Sequence, residues 1–303
     1  MLMMALGRQG RHDECRVHAQ AALAVARASG DAYTDASVLN NLSAGYIAER
    51  RTPQAPDSAE QALGIYKRIN SNYGAAIAML ILSFTAQRCG RLSDARDQLL
   101  QLLTLCDAIG HRQIGAQARC NLARLLLELG PPEAALSHAL DGIPMAQQDG
   151  DRFVQATGDY AAFQAVALLG QWPRAVVHGR RASSALAAHT ELADALACDA
   201  GVAWALHQGG DSAAALQAVD AVLATVASRA GWRDDEADAA IHCHRLLARL
   251  RDPRAYDLLA AAHRILMALA SDFVDPAERD QHLQSTAHGR EIQALWAEQS
   301  RPL

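Results

Sequence analysis

The sequence predicts an all-α fold, a solenoid of about seven antiparallel helix pairs. Three observations predict it: small residues recur every 40 positions, a glycine stands five residues before most of them, and apolar faces of helical spacing flank each one. The small column is Cys15, Ala55, Ala95, Ala135, Ala175, Ala215 and Ala255. The column before it is Gly10, Arg50, Gly90, Gly130, Gly170, Gly210 and Leu250, where glycine ends a helix in the left-handed conformation.

Each repeat follows from these columns in order. Ahead of the turn, Leu6, Tyr46, Ala86, Leu126, Val166, Leu206 and Leu246 form one apolar row. The residues four before them, Leu2, Leu42, Leu82, Leu122, Ala162, Val202 and His242, form a second row on the same face, and together they define helix A. After the turn, Ala19, Ala59, Leu99, Ala139, Gly179, Val219 and Leu259 follow the small column by four and define helix B. Small side chains in the first rows of helix B let two antiparallel backbones approach closely. Gly30-Asp31, Gly110-His111 and Gly150-Asp151 punctuate the turns between repeats, and Arg251-Asp252-Pro253 replaces glycine in the seventh. The array spans 1–271, and the more polar 272–303 reads as a capping helix and tail.

Composition agrees and excludes several functions. Sixty-five alanines and only 5% aromatics favour packed helices over sheets. A net charge of −5, with no basic run, argues against direct nucleic-acid binding. Six dispersed cysteines without a C-x-x-C pair, no leader-like start and no long apolar stretch lead to the expectation of a reduced, cytoplasmic protein with no membrane span.

The glycine-ended helix followed by small-x-x-x-hydrophobic, the 40-residue unit, and the pairs Asn41-Leu42 and Asn121-Leu122 resemble the tetratricopeptide repeat (TPR) family. The similarity is to the long-repeat, MalT-like type found in multidomain signalling ATPases and cyclase-linked regulators, and it covers about residues 1–270. Asp275-Pro276-Ala277-Glu278-Arg279, Leu283, His288-Gly289-Arg290-Glu291-Ile292 and Leu295-Trp296 resemble segments that close such arrays. The resemblance implies a right-handed superhelix and a sensor or scaffold that holds a protein or peptide. A stand-alone adaptor is the alternative, and a small-ligand sensor or an enzyme comes behind both. Met1 to Arg8 supplies only part of a helix A, so the first repeat reads as incomplete: a linked N-terminal ATPase or cyclase region is one reading, and a degenerate first repeat that frays is the other. In the sequence to Leu303 no helix-turn-helix domain is expected after the array.

Chemistry is sparse. The single lysine, Lys67, is followed by Arg68, so no phosphate-binding loop ending in lysine and serine or threonine is present. In His242-Cys243-His244 the two histidines point to opposite sides of a helix and do not share a metal ion. His18, His138 and His178 read as a surface column. Asp234, Asp235, Glu236 and Asp238 read as acids complementing a helix dipole. No catalytic, cofactor or metal residue is assigned. The resemblance places helix A on a concave groove, and carrying its phase along the chain gives Asn40, Asn41, Phe84, Arg88, Asn121, Arg124, Tyr160, Gln164, Trp204, His207 and His244 as partner candidates. Asparagine amides grip peptide backbone, while arginines and aromatics anchor interfaces. The absence of a groove lysine excludes the carboxylate clamp of chaperone adaptors.

Overall fold

The computed structural model describes residues 12–48, 55–188, 192–271, 273 and 275–299. Every regular element among them is an α-helix. The B helices are α1 (His12–Ser29), α3 (Ala55–Arg68), α5 (Leu92–Ile109), α7 (Pro132–Gln148), α9 (Trp172–Ala188), α11 (Ser212–Ser228) and α13 (Ala255–Ala270). The A helices between them are α2 (Ala32–Ala48), α4 (Asn72–Arg88), α6 (Arg112–Leu129), α8 (Arg152–Leu168), α10 (Leu192–Gln208) and α12 (Ala237–Arg249), and α14 (Pro276–Ser285) and α15 (Ala287–Gln299) follow. The half-helix expected over 1–8 and the turns expected at Gly10 and Arg50 lie outside the described residues.

The turns show why the period is 40. Gly30, Gly110 and Gly150 all take φ near +70°, and Asn70 replaces glycine in the same phase at φ 55°. The next side chain then caps the following helix: Asp31 accepts from the Thr34 amide, Ser71 from Gly74 and Asp151 from Val154. Inside the pairs Gly90, Gly170 and Gly210 are left-handed as well. Gly130 is not, because Pro131, extended at φ −67° and ψ 140°, opens α7 there. The small column is buried throughout, from Cys15 to Ala255, and from α3 onward its small side chains let each B helix pack closely on the A helix before it.

Among the described residues the phase shifts at the seventh pair. The left-handed residue of the seventh pair is Arg251 (φ 57°), one beyond the expected Leu250. Helix α12 is therefore displaced by one residue against the other A helices. A matched pair of hydrogen bonds records this. Ser43 Oγ donates to the Ala55 carbonyl at 2.7 Å, and His244 Nδ1 makes the equivalent bond to Ala255 at 2.8 Å. His244 thus holds the core position of Ala123, Phe163 and Ala203.

The chain forms two compact units, one ending at Ala118 and the other beginning at Arg119, within α6. In the first unit Ala36, Leu39, Ala62, Tyr66 and Ala78 form a core, and the Tyr33 ring packs edge-on to Tyr66 at 5.7 Å. In the second, a continuous core runs from Ala156 to Leu258 through α8–α13, and Ile241, Leu259, Ile265, Leu283 and Ile292 join α12–α15. The closing segment is thereby held on α12 and α13.

Candidate functional site

Several polar side chains of the second unit lie on its A helices. On α6, Asn121, Arg124 and Glu128 follow one another at three- and four-residue spacing and share a face. The Arg124 guanidinium lies 5.5 Å over the Tyr160 ring of α8 and 3.9 Å from the Asp194 carboxylate of α10. Arg245 of α12 lies 5.8 Å over the Trp204 ring of α10. Arg124 and Trp204 are in phase, and the one-residue displacement brings Arg245, not His244, into that row.

Helix α15 reaches the same groups with its first turn. Glu128 accepts a hydrogen bond from the Ala287 amide at 2.6 Å and lies 3.8 Å from Arg290, across 159 residues of sequence for the former. Asp238 binds His288 Nδ1 at 3.1 Å, and Arg245 donates twice to Glu291, at 3.2 and 2.5 Å. The His288 and His242 rings meet edge to face at 4.7 Å.

This packing sets their titration. Burial depresses His288, but the charge and hydrogen bond of Asp238 outweigh it and raise the imidazole above its ordinary value. Burial likewise acts to raise Asp238, and His288 overrides it, holding the carboxyl at about 2. Burial, then the His288 charge, push His242 well below the usual histidine range. The His288–Asp238 contribution is thus complete below the ordinary histidine value of about 6.5 and fades as pH rises through the raised one. At the acid end it is present above the ordinary carboxylate value of about 3.9 and is lost as pH falls towards the depressed one. Neutral His242 opposes folding as pH drops below about 6.5. Histidine NMR titration is expected to give midpoints on opposite sides of that value, with Asp238→Asn lowering the His288 midpoint. A common midpoint for both rings contradicts the contact.

The other candidates are distributed as follows. In the first unit Asn40 is buried with its Oδ1 unpartnered, Asn41 and Phe84 are half-buried, and Arg88 is exposed. In the second, Asn121 is 8% exposed and its Nδ2 has no hydrogen-bond partner, Tyr160 is buried, and Gln164 and Trp204 are half-buried. His207 Nδ1 is engaged by Ser212 at 2.8 Å in the turn. His244, expected on the groove, is instead core, for the register reason given above.

Two further expectations are corrected. His178 is no surface residue: its Nδ1 binds the buried Asp159 carboxylate at 2.8 Å, which Arg181 also approaches at 3.1 Å. Glu236 is not a dipole charge but a buried one, chelated by Arg229 at 2.7 and 3.1 Å and by the Arg233 amide at 3.0 Å. Sequence reasoning missed Glu128, Asp194, Asp238, His242 and Arg245 on the A-helix face. Only the shifted turn at Arg251 signalled Arg245 and His242. Among the described residues no group of three or more His, Cys, Asp or Glu is arranged to hold a metal ion, and no helix is long and apolar enough to cross a membrane.

No family model matches the chain, and no curated protein matches it in sequence. Solved structures do. Aspartyl phosphate phosphatase F from Bacillus subtilis superposes with a TM-score of 0.68 at 15% identity, covering 87% of this chain and 68% of that one. A signal transduction ATPase with numerous domains and a tetratricopeptide repeat sensor, from Pyrococcus horikoshii, gives 0.64 at 14% identity over 86% of this chain, which spans only 40% of that protein. A Rap protein complexed with competence and sporulation factor gives 0.58 at 15% identity, over 88% and 76%. At these identities the likeness is one of fold, and the fold is that of tetratricopeptide-like helical repeat proteins.

Proposed function

We propose that this chain is a regulatory binding module, not an enzyme, that holds a peptide or protein segment on the A-helix face of its second unit. The observation that carries this is Asn121: its amide nitrogen is buried without a partner, one turn from Arg124, which covers the buried Tyr160 ring, with half-buried Trp204 on the same face. A buried amide left unpaired costs about 1–3 kcal/mol, which a backbone carbonyl of a bound segment would recover. Arginine and aromatic side chains beside it are the groups that dominate interface energies. The fold supports the reading, since Rap bound to competence and sporulation factor, and NprR bound to its cognate peptide NprX, share it. The likeness to a repeat sensor within a signalling ATPase favours a sensor or scaffold role in a bacterial signalling or transcriptional regulator, with an ATPase or cyclase region linked at the N-terminal side. A stand-alone adaptor is the second reading, favoured by the Rap likeness, which extends over most of both chains.

Short random peptides displayed on phage and selected on the intact chain test the site. Binding of the selected peptides is expected to weaken about tenfold or more, roughly 1.4 kcal/mol, in Asn121→Ala/Arg124→Ala with helicity unchanged. Equal affinity for both chains refutes the site.

A further inference from the structure

Helix α15 is held at its two ends by different means. Its later turns are anchored by apolar contact: Ile292 is buried against α12 and α13, and the Trp296 ring stacks on His263 of α13 at 4.4 Å. Its first turn meets the A-helix face through Glu128, Asp238 and Arg245 and through the His288–His242 ring pair, and Arg290 also donates to the Gln284 carbonyl of α14 at 2.8 Å. Thr286, the single extended residue between α14 and α15 (φ −110°, ψ 152°), caps the helix by accepting from the Gly289 amide at 3.0 Å. The contacts are chemically those of a ligand: a helix N-terminus and a cation meet a carboxylate, and an acid meets a guanidinium two-pronged. Glu128 and Asp238 are thereby neutralised from within the chain. Each of these two ion pairs has one member open to water, Arg290 at 46% and Asp238 at 49% exposed, against 21% for Glu128 and 17% for His288, so solvent screens part of the attraction. They suit an occupant that can leave.

We propose that α15 is an internal ligand of the A-helix face, so that an external segment binds by displacing its first turn. The partner that fits is a helical segment with cationic residues in its first turn followed directly by a carboxylate, the pattern of His288, Arg290 and Glu291. The inference rests on the binding face proposed above and assigns its regulation.

The test uses the intact chain and the triple variant His288→Ala/Arg290→Ala/Glu291→Ala, which leaves Ile292, Trp296 and the face itself untouched. The probe is a labelled, N-acetylated synthetic peptide of residues 286–299. Amide hydrogen exchange at 287–291 is expected to rise at least tenfold in the variant while α12 and α13 stay protected. The probe is expected to bind the variant about tenfold tighter than the original chain, and adding Glu128→Gln should cancel that gain. If the triple variant loses its fold, Arg290→Glu, on an exposed side chain, is expected to shift both readouts in the same direction by less. Faster exchange with equal probe affinity makes α15 a plain cap and overturns the inference, as does full exchange at 287–291 in the original chain. The phage-selected peptides keep the two ideas apart. If they still require Asn121 and Arg124 but bind the released variant no better, the face stands and the internal ligand falls. If they ignore Asn121 and Arg124, the face itself is refuted.

Discussion

Phe163→Ala is expected to destabilise the second unit by about 3–5 kcal/mol, the range for removing a fully buried aromatic ring. Phe163 is 3% exposed, and two glycines on neighbouring helices make its seat. A Cβ at Gly201 of α10 would fall 2.5 Å from its ring, and one at Gly179 of α9 would fall 3.1 Å from it and 2.4 Å from Val202. The ring fills the space both glycines leave, so its loss opens a cavity that rigid backbones close poorly. Gly201→Ala overfills the same place and is expected to cost about 1–3 kcal/mol. The double variant should cost less than the sum, because the added methyl occupies part of the cavity. Urea denaturation of the four chains checks this. A loss below about 1 kcal/mol for Phe163→Ala is incompatible with the packing.

The second large effect is expected at Glu236. Its side chain is fully buried, and Arg229, itself 14% exposed, closes on it with two hydrogen bonds. Glu236→Ala strands the guanidinium and leaves the Arg233 amide without its acceptor, for a loss of about 3–5 kcal/mol. Arg229→Met/Glu236→Leu removes both charges and is expected to recover most of that, since the desolvation of two ions disappears with their attraction. Thermal unfolding read with exchange at α12 distinguishes the cases: if Glu236→Ala melts like the original chain, the pair carries no stability.

Most of the architecture was legible because the repeat rests on local chemistry. A left-handed residue followed by a capping side chain, as in Gly30-Asp31 and Gly150-Asp151, fixes where a helix stops and the next begins, and the alanine column fixes which side packs. What lay beyond the sequence was of two kinds. The one-residue displacement of α12 depends on which of Leu250 and Arg251 turns left-handed, and that choice moved His244 into the core and Arg245 onto the face. Long-range pairs such as Ala287 with Glu128 and His178 with Asp159 have no local pattern, since nothing in either segment names the other. Asn121, Arg124, Tyr160 and Trp204 were legible as one face because they lie within the undisturbed phase. Asp194, Glu128 and Asp238 were not, because their significance comes from the partners that packing brings to them.

The displaced α12 also bears on how such an array diversifies. One added residue turns a helix by about 100° relative to its neighbours. Here the core absorbs it by accepting a histidine where others carry serine, alanine or phenylalanine, and the half-buried row receives an arginine. The turn before α12 is one residue longer and the turn after it one residue shorter, so that, with no substitution on the helix itself, different side chains fall on the face. Which side chains this face carries is set by spacing as well as by residue identity.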